Sequence, residues 1–217
     1  MSPSLRFRYQ TFEFTSSDIH LRSLRDNQEF SDPLGAAERL GISSASWPLF
    51  GVIWPSGRVL AQFMDDFDCQ GKRVLEVGCG LGLASLLLNH RHVDITATDY
   101  HPEANAFLQI NAQLNDDQLI PFVRTGWADV ISELGTFDLI IGSDLLYERE
   151  QSTLLATFIQ QHSKPQCEIV LVDPGRGHHA HFSKQMLGLG YSHRQGLAPE
   201  SMYLGDIFKG QILRYGR

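Results

Sequence analysis

Cysteine is scarce in this 217-residue chain: there are three, at positions 69, 79 and 167, and no Cys-x-x-Cys pair. That excludes a disulfide-stapled scaffold, gives no zinc signature and fits a reducing, cytoplasmic compartment. Long hydrophobic runs are missing too. No stretch of about 18 apolar residues occurs, so no membrane partner is expected. No signal peptide is visible. Positive charge is in short supply, with 18 Lys and Arg against 25 Asp and Glu, a net charge of −7 and a pI of about 5.7. An acidic chain gains little by neutralising phosphates, which argues against a nucleic-acid partner. No internal repeat or low-complexity tract appears, which excludes a repeat array. What remains is an ordinary globular composition, 42% apolar and 20% charged, with length enough for one domain and a sizeable core.

The chain is organised around Arg73-Val74-Leu75-Glu76-Val77-Gly78-Cys79-Gly80-Leu81-Gly82. A β-branched apolar run breaks into alternating glycines, and the apolar segment Leu83 to Leu88 follows at once. This predicts a buried strand, a tight loop and a helix. Glycine is needed where the backbone takes positive φ or a ligand approaches it closely. The free N–H groups of the loop and of the next helix then face the ligand. Dinucleotide sites favour GxGxxG, with a pyrophosphate on the helix N-terminus. Here the spacing is GxGxG, and Glu76 lies two residues before the first glycine. A buried acid repels a pyrophosphate and favours a cationic amino-acid moiety, which points to S-adenosylmethionine as cofactor.

Upstream, Leu5 to Leu24 alternates around a Ser-Ser-Asp turn and predicts a β-hairpin. Residues 26–46 are polar and predict a mobile connection, giving an N-terminal extension, 1–46, ahead of a domain at 47–217. Trp47 and Trp54 either fill core or, in the case of Trp54, close over the cofactor. Pro55 suits the first turn of a helix from Ser56 to about Phe67.

Downstream, Asp94 to Thr98 predicts a strand ending in Asp99, close to the roughly 20-residue spacing of a ribose-binding acid. Asp99 also suits an N-cap for a helix over Pro102–Asn115. A third strand, Phe122–Thr125, leads to Gly126-Trp127-Ala128-Asp129, where the indole packs on adenine or plugs the core and Asp129 accepts from the adenine amine. A fourth, Phe137–Gly142, ends in Ser143-Asp144-Leu145-Leu146-Tyr147. Carboxyl ends of parallel strands line the ligand crevice, so Asp144 and Tyr147 fall where a methyl acceptor must lie; the bland reading of Asp144 is a cap on the next helix, Arg149–Gln161. A fifth strand, Glu168–Val172, ends in Asp173-Pro174-Gly175-Arg176. His178, His179 and His181 open a helix reaching Leu189 and carry no carboxylate or cysteine nearby, so no metal is expected. Tyr191–Gln195 and Ile207–Tyr215 predict a closing antiparallel pair. Strand and helix alternate throughout. The expected fold is α/β, a doubly wound, Rossmann-like, seven-stranded and mostly parallel sheet with an antiparallel last strand.

These residues together resemble class I S-adenosylmethionine-dependent methyltransferases over roughly residues 47 to 195. More narrowly they resemble the seven-β-strand protein lysine methyltransferases, through Ile53-Trp54-Pro55-Ser56-Gly57 and the Asp-x-x-Tyr motif Asp144-Leu145-Leu146-Tyr147. Within that group, Asp173-Pro174-Gly175-Arg176 is similar to the electron-transfer flavoprotein β-subunit lysine methyltransferases and their bacterial relatives. The resemblance implies a monomeric enzyme that methylates a protein lysine. It places Trp54, Glu76, Gly78, Cys79, Gly80 and Gly82 on the cofactor side, with Asp99, Tyr100, Trp127 and Ser143. Asp144 and Tyr147 fall on the catalytic side. Amino-methyltransferases of bases or glutamine carry two prolines where Leu145 and Leu146 stand here. Small-molecule N- or O-methylation and a non-catalytic cofactor-binding module remain alternatives.

Overall fold

The computed structural model describes residues 5–32, 34–130, 132–147, 149–197 and 208–217. Strands buried on both faces need nearly continuous apolar runs, and β3 (Arg73–Val77), β6 (Phe137–Ser143) and β7 (Ser163–Asp173) supply them at the centre of the sheet. Numbering follows a hairpin of β1 (Phe7–Glu13) and β2 (Asp18–Leu24). The sheet is completed by β4 (Asp94–Asp99), β5 (Phe122–Arg124), β8 (Ser192–Leu197) and β9 (Gln211–Gly216). The seven strands stand in the order β5-β4-β3-β6-β7-β9-β8. The first five are parallel, and β9 runs antiparallel to both its neighbours. The expected doubly wound sheet with an antiparallel last strand is therefore present.

Side chains alternate across the pleat. Val74, Ala97, Leu139, Ile141, Val170 and Ile212 point to one face, covered by α2 (Pro55–Asp65), α3 (Leu83–His90), α4 (Ala104–Leu114) and the hairpin. Leu75, Val77, Ile140, Ile169, Leu171 and Leu213 point to the other, under α5 (Arg149–His162) and α6 (His179–Gly188). Among the described residues no helix is long and apolar enough to cross a membrane.

Several boundaries move for local reasons. Trp54 is the N-cap of α2, with Pro55 inside its first turn. Helix α4 starts at Ala104 with Glu103 as N-cap, so Asp99 does not cap it. Instead His101 Nδ1 accepts the Glu103 N–H at 3.2 Å. Strand β7 begins at Ser163, five residues before the apolar run that betrays it, because Ser163 pairs with Phe137 across a register shift. Ile207 lies outside the described residues, and β9 begins at Gln211.

The described residues of the connection over 26–46 carry local hydrogen bonds. The Asp32 carboxylate accepts the N–H groups of Ala36 and Glu38 at 2.8 and 2.9 Å, holding the short α1 (Ala36–Arg39). The Trp47 indole donates to the Ile42 carbonyl at 2.9 Å.

The hairpin is held by two asparagines. Asn115 Oδ1 accepts the His20 N–H at 2.7 Å and its Nδ2 donates to the His20 carbonyl at 2.8 Å. Asn111 does the same for Arg22, at 2.7 and 3.1 Å. One turn apart, they satisfy alternate residues of β2 as a neighbouring strand would.

Candidate active site

The chain builds β3, β4 and β5 outward in one direction, then returns to place β6 on the other side of β3. Ligands of such sheets sit at this reversal, outside the strand carboxyl ends. Val77 pairs with Gly142, so the glycine loop and the end of β6 start from neighbouring positions, with Ser143 still paired to Val172 of β7.

The glycine loop is shaped by what lies beneath it. Gly78 and Gly82 have φ of 60° and 68°, and a Cβ on either would sit 2.6 Å from a leucine methyl, Leu145 Cδ2 or Leu108 Cδ1. A Cβ on Gly80 would lie 3.1 Å from the Phe50 carbonyl oxygen. The Cys79 N–H bonds the Thr98 carbonyl at 2.9 Å, extending the β3–β4 pairing into the loop. Burial pushes the Cys79 thiol well up, so it stays neutral.

Glu76 does something its position in the sequence does not announce. Its Oε2 accepts the Ser85 N–H at 2.9 Å and, in a still shorter contact, the Ser85 hydroxyl. It thereby closes the first turn of α3, where a carboxylate is favoured. Burial nevertheless raises its pKa from 4.5 to about 7. In the chain without a ligand, burial thus works against the negative charge of Glu76, and the two Ser85 hydrogen bonds work for it.

Asp99 stands at the end of β4, with Oδ2 accepting the Gly80 N–H and Oδ1 the His101 N–H, each at 2.8 Å. Burial raises its pKa against these bonds. Each oxygen keeps a further lone pair for a ligand hydroxyl. Tyr100 follows, its ring against Gly126 and its hydroxyl donating to the Leu40 carbonyl at 2.8 Å. This ties α1 to the loops after β4 and β5.

The tryptophans divide. Trp47 packs against the core. Trp54 joins neither core cluster and donates its indole N–H to the Leu49 carbonyl at 3.0 Å, at the mouth of α2. Trp127 is half-buried, packed against the Leu145 cluster, with Cζ2 3.9 Å from where a Gly78 Cβ would stand. Asp129 spends Oδ2 on the Gly126 N–H of its own turn, at 2.7 Å. Ser143 Oγ lies 3.5 Å from where a Gly57 Cβ would stand, bringing the start of α2 to the end of β6.

Beyond β6, Leu145 and Leu146 are buried while Tyr147 is half exposed. Asp144 takes φ 56°, a left-handed conformation uncommon outside glycine, and donates its N–H to the Val172 carbonyl at 2.9 Å. Among the described residues its carboxylate accepts no N–H of α5, which starts at Arg149. It is gripped instead by Arg176, Nε to Oδ1 at 2.8 Å and Nη2 to Oδ2 at 3.0 Å. Sequence reasoning gave Arg176 no role. Its signals were its place after β7, the strand beside β6, and its membership of the Asp173-Pro174-Gly175-Arg176 run. The three histidines scatter, with His179 Nδ1 3.7 Å from Asp173 and His181 Nε2 3.4 Å from Thr153. Among the described residues no group of three potential ligands gathers.

A lysine methyltransferase family model matches residues 38–186. The electron transfer flavoprotein β-subunit lysine methyltransferase of Xenopus laevis is 30% identical over 159 residues, 71% of this chain and 61% of that protein. Protein N-lysine methyltransferase METTL21A of Danio rerio is 29% identical over 59% of this chain and 63% of its own length. The chain thus spans under two thirds of these relatives. Among solved structures, the T. thermophilus 16S rRNA N2 G1207 methyltransferase superposes with a TM-score of 0.66 at 12% identity, over 99% of this chain and 51% of that one. A Pyrococcus furiosus methyltransferase gives 0.59 at 20% identity, over 86% and 98%. At such identities these two speak for the fold alone. With the glycine loop, the acid after β4 and the Asp-x-x-Tyr turn after β6 all at one sheet edge, and most of that stretch under the family model, the chain belongs to the lysine methyltransferase family.

Proposed function

We propose that this chain binds S-adenosylmethionine at the carboxyl edge of β3, β4 and β5 and methylates a lysine side chain of a protein. The observation that carries the reading is the pairing of Val77 with Gly142 at the carboxyl end of β3 and β6, which starts the glycine loop and the Ser143-Asp144 turn from neighbouring positions. The residues fit the group. Gly78 and Gly82 take positive φ and keep the loop free of side chains, Asp99 retains lone pairs for two ribose hydroxyls, and the Trp127 ring edge lies next to Gly78. Trp54, Cys79, Tyr100 and Ser143 complete the rim, and Glu76 acts from below by fixing α3. The names of the relatives, lysine methyltransferases of proteins, support the acceptor.

When bound, the cofactor supplies an electrophilic methyl group on a sulfonium. The chain's own contribution is alignment, which reaches roughly 7–11 kcal/mol in favourable cases. A free lysine titrates at about 10.4 and must shed a proton to act as nucleophile. Asp144 orients the amine and takes up that proton or passes it to water, and Tyr147 walls the acceptor channel. Residues 1–46 form an extension that contributes to substrate choice, and 47–217 form the transferase domain, acting as a cytoplasmic monomer. Calorimetry with S-adenosylmethionine and with NAD tests the cofactor assignment. Binding of the first and not the second is expected, and binding of NAD alone contradicts it.

A further inference from the structure

The acceptor reading above leaves one group over. Arg176 makes two parallel hydrogen bonds to Asp144, the geometry in which guanidinium and carboxylate match best. Both oxygens assigned to the acceptor amine are thus engaged before any substrate arrives. Among the described residues, the guanidinium hydrogen-bonds to Asp144 alone. Its side chain is 48% exposed, against 13% for Asp144. Water and mobile ions compete for the half-exposed guanidinium, which lowers the cost of exchanging it for another cation. The arginine also sits on a pivot. Gly175 and Gly177 flank it with φ of 93° and 91°, and neither has a neighbour within 4 Å of where a Cβ would stand. The turn is anchored one step earlier, where the buried Asp173 accepts the Gly175 N–H at 3.1 Å. Asp144, by contrast, is fixed by its Val172 bond, its left-handed backbone and the buried Leu145 and Leu146 on its heels.

We propose that Arg176 is a displaceable counter-ion: it occupies the cation site on Asp144 in the resting protein and swings away on its glycine pivot when a substrate ammonium takes its place. This rests on the assignment of Asp144 as the amine site. The exchange is cation for cation, so Asp144 is never left unpaired, and an uncharged side chain cannot drive it. Arg176 is a positioning residue and touches no reacting atom.

The test is binding of N-acetyl-lysine amide and, as the uncharged control, N-acetyl-norleucine amide to the full chain. Chemical-shift titration follows it in the wild type, R176Q, R176K and D144N. R176Q is expected to bind the lysine probe roughly three- to fivefold more tightly, the scale of one exposed ion pair removed from competition. R176K keeps a cation over Asp144 and binds as the wild type does, which separates lost pairing from disturbed folding. D144N loses the preference for lysine over norleucine. Equal or weaker lysine binding by R176Q overturns the counter-ion role while leaving Asp144 as the amine site. Absence of any preference for lysine over norleucine in all four proteins removes the amine-site assignment, and the counter-ion with it.

Discussion

Asp99 bonds two backbone N–H groups through its carboxylate, so its removal acts on the ligand and on the loop together. Asp99→Ala leaves the Gly80 and His101 N–H groups without their acceptor and the ribose without its partner. Cofactor affinity should fall by about 1.5–3 kcal/mol in calorimetry, and an unchanged dissociation constant assigns the ribose elsewhere. Glu76 makes a pH-dependent prediction. Its folded pKa, about 7, lies above the ordinary 4.5, so the native state holds the extra proton between those values. Stability from this group therefore falls as pH rises from about 4.5 to about 7 and is lost above that. Glu76→Gln carries no such loss, and its stability relative to the wild type should climb across that window by up to about 3 kcal/mol. Parallel denaturation curves at pH 5 and pH 8 contradict this. The glycines and both acids were legible in the sequence as a group. What Glu76 does was not, because its partner Ser85 is an unremarkable serine until α3 folds over β3.

Strands and helices were read well where a period sets them and poorly where a tertiary contact does. The runs of β3, β4 and β6 announce themselves. Helix α4 shows its apolar stripe, yet Asn111 within it is fully buried and looks like a flaw. The reason lies 89 residues away, at the edge of β2. The start of β7 is hidden in the same way, since Lys164, Pro165 and Gln166 carry no strand pattern and only pairing with Phe137 extends it. The asparagine clamp can be tested as a unit. Asn111→Ala strands a part-buried N–H and carbonyl of Arg22, and a loss of about 1–3 kcal/mol is expected. Amide exchange at Arg22 should accelerate, and the Asn115 variant should do the same at His20. Protection unchanged at both amides shows that side-chain packing alone holds the hairpin.

For the whole molecule, the alternation of strand and helix was enough to give a doubly wound sheet, and the Asp-x-x-Tyr run was legible as a motif directly after β6. The ion pair at that run was not readable. Asp144 and Arg176 stand on different loops, 32 positions apart, and meet only because β6 and β7 are neighbours. The extension, too, proves continuous with the rest, since Ile19, Leu21, Leu24 and Phe30 share one core with Leu81 and Leu86. The central claim is transfer of methyl to protein lysine at the site of Asp144. Its most direct test is incubation of a cell extract with methyl-deuterated S-adenosylmethionine and either the wild type or Asp144→Asn, with mass spectrometry of proteins, nucleic acids and small molecules. Loss of one charge-assisted hydrogen bond corresponds to roughly 10–150-fold in rate. The account predicts deuterated methyl groups on lysine Nζ with the wild type, and that much less with the variant, at nearly unchanged cofactor affinity. Label confined to small molecules or nucleic acid, or lysine labelling equal in the two proteins, contradicts it.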